Sequence, residues 1–513
     1  MSQREKWGTK IGVILAVAGS AVGLGNFLRF PVQAAQNGGG AFMIPYFISL
    51  FLLGLPLIWI EWAVGRYGGL FGHGTAPGAF HRLANHRIAK YLGVIGVFGP
   101  IVIFVYYTYI ESWLLGYMFF AATGQLFANI SAAGMQSFLL AYQGLAPHSN
   151  LWTAYIFFVI TFVLNFWILS RGIKGGIELL CKIAMPLLFL FAVMVVVRVL
   201  TLGPPNPAHL DWNVINGLGA LWNPDFSQLL NAKTWLAAAG QIFFTLSIGM
   251  GTILAYASYL SHGDDIVLSG LTAASTNELA EVVLGGSIAI PLAFAFLGPI
   301  GMQAAASSGA FNLGFITMPL VFGQIPLGPL FAFLWFALLF LAGITSSVSL
   351  MQPAVSFLKD DFKISHKKTI WILTIVTFLL CQPGIFFLGK GVIDEMDFWA
   401  GTFAITLFAA IEYFLFVWVF GIEKAWEEIH HGAELVIPKF YKFIIKYITP
   451  LLLIFILGFW FIQQAIPTIL MHGIPKENVP FVLATRIGLV IMFLAVAGLL
   501  RYAWYKFKRN EIA

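Results

Sequence analysis

"GSAVGLGNFLRF", residues 19–30, interrupts an apolar stretch that begins at Ile11. It holds Gly19, Gly23 and Gly25 together with a serine, an asparagine and an arginine. Each glycine costs a helix about 1 kcal/mol relative to alanine, so this cluster makes unwinding cheap. An unwound backbone in lipid leaves N–H and C=O groups unpaired. It is tolerated only where it is buried in protein or lines a cavity. Gly19-x-x-x-Gly23 also fits the small-xxx-small pattern of close helix packing. The rest of the chain decides between the two readings.

That chain is 513 residues long, 59% hydrophobic and only 10% charged. Soluble proteins carry roughly 25% charged residues, so too little polar surface is available for a water-facing exterior. The composition is that of a polytopic membrane protein. Between Glu281 and Lys359 there is no Asp, Glu, Lys or Arg at all. The charged N-terminal "MSQREKWGTK" has no small-residue cleavage site before Ile11, so the first apolar stretch is read as a retained span. Cys181 and Cys381, both in or beside apolar segments, imply neither a disulfide framework nor a thiolate metal site. The net charge of +6 fits basic cytoplasmic loops rather than nucleic-acid binding.

A crossing needs about 20 apolar residues. The sequence predicts an all-α protein of twelve transmembrane helices, at 11–36, 41–68, 89–123, 153–170, 177–200, 234–256, 267–296, 328–357, 369–387, 392–420, 443–467 and 480–503. Lys and Arg gather before the first span, between spans two and three, four and five, and eight and nine, and at the chain's end. The intervening segments 124–152, 201–232 and 297–327 carry almost none. Both termini are therefore expected in the cytoplasm. One loop disobeys: "SHGDD", 261–265, is acidic yet falls inside by parity.

A second interruption weights the opening question. The sixth span, "AAAGQIFFTLSIGMGTILAYASY" at 237–259, carries Thr245, Ser247, Gly249 and Gly251 at its centre. Spans one and six each open a group of five, and five is odd, so the second group enters the membrane from the opposite side. Matched interruptions in two halves point to an inverted repeat around a midplane site. The expected organisation is a first repeat at 1–200, a second at 201–420, and spans eleven and twelve with the C-terminus at 421–513. Broken helices expose carbonyl oxygens that can replace a cation's water, and a half-helix N-terminus that can hold a carboxylate. Neutral oxygen donors gather in the same spans: Asn26, Thr245, Ser247, Asn277, Thr345 and Ser346. Sodium, a hard cation, favours such ligands.

Four longer stretches, "AVGLGNFLRFPVQAAQNGGGAFMIPY" (21–46), "GQIFFTLSIGMG" (240–251), "LAGITSSVSLMQP" (341–353) and "DEMDFWAG" (394–401), closely resemble the neurotransmitter:sodium symporter family. The likeness covers almost the whole chain and is strongest to the family's bacterial leucine-transporting branch. It implies a symporter of hydrophobic neutral L-amino acids working by alternating access, with two Na⁺ sites. The first site would use the Ala21 carbonyl, Asn26, Thr245, Asn277 and the substrate carboxylate. The second would use carbonyls of Gly19, Val22 and Ala342 with Thr345 and Ser346.

On the same likeness the substrate carboxylate would meet the Leu24 and Gly25 amides and Tyr107. Its ammonium would meet Ala21, Phe244, Thr245 and Ser247. The side-chain pocket would be Val22, Ile103, Tyr107, Phe244, Ser247, Met250, Ser346 and Leu350, which offers no charge to a substrate side chain. Met250 stands where that branch has Phe, Leu350 where it has Ile, Ile103 where it has Val, and Ser20 where it has Asn. Methionine is adaptable, so a broader or shifted range of apolar substrates is implied.

The resemblance also implies gates: Arg29 with Asp397 outside the substrate, and Arg4 with Asp360 on the cytoplasmic side, supported by Trp7, Ser258 and Tyr259. Glu281, one turn beyond Asn277, would occupy the place where animal members hold chloride, near Gln241 and Tyr46. It implies chloride independence, with proton movement if Glu281 titrates. Glu61, Glu111, Glu278 and Glu412, also within spans, are assigned helix-packing or hydrogen-bonding roles.

An enzyme is not expected: HExxH, GxSxG and phosphate-loop motifs are absent from the sequence. The alternatives are a sodium-dependent amino-acid sensor or a cation channel on the same fold. The expected location is the plasma (inner) membrane of a prokaryote, with a homodimer left open and no nucleic-acid partner.

Overall fold

The computed structural model describes residues 5–507, and among them every extended regular element is helical. Among the described residues ten helices are long and apolar enough to cross a membrane. A bent pair adds an eleventh crossing: α1 (Lys10–Ala21) and α2 (Gly25–Gln36) meet at 47° across a short break. In chain order α3 is Gly40–Leu70, α4 Ala89–Ala122, α5 Trp152–Ser170 and α6 Ile173–Leu200. The next segment is divided into α7 (Ala232–Thr245) and α8 (Thr252–Ala257). Then follow α9 (Ile266–Ser307), α10 (Gly328–Phe362), α11 (His366–Phe386), α12 (Val392–Val419), α13 (Phe440–Ile469) and α14 (Lys476–Lys506).

The crossing expected at 234–256, sixth in chain order, is the segment divided into α7 and α8, 14 and 6 residues long. Neither piece alone reaches the length of about 20 residues that a crossing needs. The helix at Ile266–Ser307 runs beyond its expected end at 296. It does so through a kink at Gly298, which takes φ 69° before Pro299.

Side-chain exposure separates interior from periphery. Helices α4 and α10 are the most enclosed, and α14 the least. The outer faces are apolar ridges at helical spacing, such as Ile156, Ile160, Val163 and Trp167 on α5. In water such a ridge would be an aggregation surface; against lipid tails it is matched.

The acidic loop at 261–265 has a local explanation. Asp264 accepts from the Ser261 N–H at 2.7 Å, and Asp265 caps α9 by accepting from the Leu268 N–H at 3.0 Å. Asp265 also accepts from the Glu434 N–H at 2.9 Å. Beside the loop, buried Arg66 pairs with Glu428 at 2.9 Å and donates to the Asp264 carbonyl at 2.8 Å. These acids serve helix capping and loop closure, which a count of loop charges does not register.

Candidate functional site

The first break is held open by its own side chains. Val22 leaves the helical region (φ −73°, ψ 95°). The freed Gly23 N–H donates to Asn26 Oδ1 at 2.8 Å. Residues Gly25–Arg29 then rewind as one wide turn into α2. Gly25 is needed because a Cβ there would stand 2.6 Å from the Phe244 ring.

The second break is built from left-handed residues: Ser247 (φ 53°), Gly249 (φ 77°) and Gly251 (φ 70°). Its exposed N–H groups find one acceptor. Glu61 of α3 accepts from Gly249 at 3.0 Å and from Gly251 at 3.1 Å. Two side chains join the breaks. Ser247 Oγ donates to the Ser20 carbonyl at 2.8 Å, and Asn26 Nδ2 donates to Thr245 Oγ1 at 3.2 Å.

Between the breaks lies a cavity of about 300 Å³. Of the residues expected around a substrate, Ala21, Leu24, Gly25, Ile103, Tyr107, Phe244, Thr245, Ser247, Met250, Ser346 and Leu350 line it. Val22 is not among the lining residues, and its side chain is buried in the apolar core beside the break. The cavity wall also includes Ser20, Tyr106, Ser349 and Asp394. The Tyr107 hydroxyl faces the Leu24 main chain and Ser346.

Two clusters of oxygen flank this cavity. In the first, Asn26, Thr245 and Asn277 converge: Asn26 Nδ2 lies 2.8 Å from Asn277 Oδ1, and Asn277 reaches Thr245 Oγ1 at 2.9 Å. With its amide turned over, Asn277 would face the Ala21 and Thr245 carbonyls at 3.3 and 3.2 Å. In the second, Ser346 Oγ lies 3.3 Å from the Gly19 carbonyl and 3.0 Å from that of Ala342. Thr345 shares the Ala342 carbonyl at 3.1 Å. Gly19 packs directly on Thr345. No contact brings the Val22 carbonyl into this group among the described residues.

Behind the first cluster Glu281 is fully buried. It accepts from Asn26 at 3.1 Å, Gln241 at 2.9 Å, Tyr46 at 3.0 Å and the Thr245 hydroxyl. Tyr46 also lies 2.8 Å from Glu278. Among the described residues no group of three or more His, Cys, Asp or Glu could hold a metal ion. The donors are neutral oxygens with one carboxylate behind them, which suits a monovalent hard cation.

At one end of the cavity stand Arg29 and Asp397, and no ion pair joins them. The Arg29 guanidinium lies over the Phe244 ring, 4.6 Å from its centroid. Asp397 accepts from the Tyr106 hydroxyl at 2.6 Å. The expected pairing is replaced here by a cation–π contact and a hydrogen bond. Tyr106 carries no signal in the sequence beyond its place next to Tyr107.

A second set of contacts ties the N-terminal segment to the rest of the chain, beside a smaller cavity of about 200 Å³ lined by Trp7, Thr9 and Tyr259. Trp7 Nε1 donates to the Tyr256 carbonyl at 3.0 Å. Tyr259 contacts Ser356 at 3.0 Å and Gln352 at 3.1 Å. Glu178 accepts from the Gly8 N–H at 2.7 Å and the Thr9 hydroxyl at 2.9 Å. Burial pushes the Glu5 carboxyl up, but Lys359 at 2.7 Å and the Ile173 N–H at 3.2 Å outweigh it and leave its pKa below the ordinary value. Arg4 lies outside the described residues, and its expected pairing with Asp360 with it.

Comparison with known proteins finds a family pattern, related sequences and a related solved structure along most of the chain. The sodium:neurotransmitter symporter family pattern spans residues 4–132 and 139–508. An uncharacterized sodium-dependent transporter of Methanocaldococcus jannaschii is 31% identical over 460 residues, covering 88% of this chain and 89% of its own. The sodium-dependent nutrient amino acid transporter 1 of Drosophila yakuba is 25% identical, covering 89% and 77%. The crystal structure of MhsT in complex with L-phenylalanine aligns with a TM-score of 0.75 at 29% identity, covering 88% of this chain and 99% of MhsT.

Proposed function

The chain belongs to the sodium:neurotransmitter symporter family, and from that membership we propose that it couples Na⁺ entry to the uptake of hydrophobic neutral amino acids by alternating access. It is a sodium-dependent, multi-pass membrane transporter and not an enzyme. The observation that carries the reading is the pair of oxygen clusters bordering one apolar-walled cavity where two helices break.

On this reading the chain crosses twelve times, with α1–α2 and α7–α8 as the broken first and sixth crossings of two inverted five-crossing repeats. Both termini face the cytoplasm of a prokaryotic cell membrane. Asn26, Thr245, Asn277 and the Ala21 carbonyl hold one sodium, which the substrate carboxylate completes. Each ligand then supplies a partner the other lacks, and their affinities rise together. Gly19, Ala342, Thr345 and Ser346 hold the second sodium.

Ile103, Tyr107, Phe244, Met250 and Leu350 receive the side chain, and their apolar surface supports aliphatic and aromatic substrates. Glu281 supplies the fixed negative charge near the first sodium, so no chloride is needed. Arg29 and Asp397 stand apart while Trp7 is held by the Tyr256 carbonyl, which fits a state open to the outside. Substrate binding draws the outer gate together, and release of the inner seal follows. Two sodium ions and a zwitterion carry two net charges, about 4.6 kcal/mol of driving force at 100 mV.

The test is uptake of the twenty labelled amino acids into proteoliposomes under an inward Na⁺ gradient, with choline as control. Sodium-dependent accumulation of aliphatic or aromatic amino acids is expected, with charged ones excluded. Binding without uptake would mark a sensor, unitary currents a channel, and no sodium effect would overturn the reading.

A further inference from the structure

Helix α14 contributes no residue to the central cavity or to either oxygen cluster. It nevertheless carries Arg486, ten residues into the helix. Arg486 grips Glu395 of α12 with two parallel bonds, Nε to Oε2 at 2.8 Å and Nη2 to Oε1 at 2.9 Å. Its remaining N–H groups donate to the carbonyls of Thr468 at 2.6 Å and Ile469 at 3.1 Å, at the end of α13. The Thr468 carbonyl also accepts from the Met471 N–H at 3.0 Å, so the guanidinium shares it with the turn that ends α13. Trp399 Nε1 donates to the same Glu395 carboxylate at 2.9 Å. One guanidinium thus ties together the ends of three helices.

Apolar packing does not make this tie redundant. A cavity of about 310 Å³ opens between Val392 and Met396 of α12 and Phe481, Thr485 and Gly488 of α14. The second polar tie, Lys390 with Glu477 at 3.7 Å, is solvent-exposed, and such pairs are worth little. Glu395, in contrast, is only 4% exposed. A buried ion pair is weak evidence of stability and better evidence of fixed geometry. What it fixes here is the turn that carries Asp394 and Asp397, both on the wall of the central cavity.

We propose that Arg486 is a positioning residue for the outer gate, holding Asp397 through Glu395 on a platform formed by α13 and α14. This deepens, and rests on, the assignment of Arg29 and Asp397 as that gate. The Asp397 side stays fixed, and closure proceeds by movement of Arg29 and Phe244 toward it.

The experiment measures release of labelled L-phenylalanine from purified protein in sodium, together with the sodium concentration for half-maximal binding. Glu395→Gln and Arg486→Lys are expected to speed release about tenfold or more while leaving sodium half-saturation within about twofold of wild type. The oxygen clusters draw nothing from α12 or α14, and with L-phenylalanine kept far below its Kd the sodium midpoint reports the ion sites alone, so the two readouts separate. A general loss of structure would move both together. Asp397→Asn serves as control and is expected to speed release as well. Clamp variants that behave like wild type, or that shift both readouts in parallel, overturn the clamp alone when Asp397→Asn is fast. An Asp397→Asn variant with wild-type release removes the gate on which the clamp rests. Absence of sodium-dependent L-phenylalanine binding in wild type contradicts the functional reading itself.

Discussion

Glycine at 249 meets two demands at once. Its φ of 77° is left-handed, and an added Cβ would stand 2.2 Å from the Ile405 carbonyl oxygen. Gly249→Ala is therefore expected to cost about 1–3 kcal/mol from backbone strain alone, with the clash added. A lowered melting temperature and lost sodium-dependent binding are the measures. Glu281 is a second residue-level case. Removing its carboxylate leaves the Asn26, Gln241, Tyr46 and Thr245 donors facing no charge. Glu281→Ala should weaken sodium binding at neutral pH about tenfold, roughly 1.4 kcal/mol. A small anion such as chloride should restore part of it, as a sodium titration with and without chloride would show. Both residues stand out in the sequence, one as a glycine in mid-span and one as an acid in an apolar run. Their partners do not: nothing near residue 61 announces that its carboxylate will accept the Gly249 and Gly251 N–H groups. Such contacts join positions far apart in the chain, and local composition carries no record of them.

At the scale of elements, the breaks and the lengths of the crossings were legible because lipid imposes one simple rule. Apolar runs of about 20 residues become helices, and glycine clusters mark where they open. The helices begin and end within a few residues of expectation, except at Ile266–Ser307, where the Gly298 kink extends the run. The division of 232–257 into two short helices follows from the same glycines. What keeps the second break in shape is Glu61, so Glu61→Ala should free two buried N–H groups at about 1–3 kcal/mol each. Melting should fall, and L-phenylalanine binding should weaken more than the loss of a packing residue alone would cause. The relation between Arg29 and Asp397 was not legible. Nothing in the local sequence says that Phe244 and Tyr106 take these two charges instead.

Across the whole molecule the charges of Arg29 and Asp397 stand apart, whereas the N-terminal segment is tied down through Trp7, Glu178 and the Glu5–Lys359 pair, the contacts that the proposed cycle must break to open inward. The Glu5 carboxyl titrates below its ordinary value in this closed arrangement. Its contribution to closure is therefore fully present above the ordinary glutamate pKa of about 4.3 and is lost as pH falls through the lowered value. Glu5→Gln should remove that contribution at neutral pH. Thiol labelling of Leu260→Cys, in a chain with Cys181 and Cys381 replaced by alanine, should be faster in the Glu5→Gln background and should lose its acid sensitivity there.

The most direct measurement of the central claim is a sodium titration of L-phenylalanine binding by the double variant Asn26→Ala, Thr245→Val. Loss of the first oxygen cluster should raise the half-saturating sodium concentration about tenfold or more. A titration that superimposes on wild type would mean that the two broken helices do not hold the ion and the substrate together.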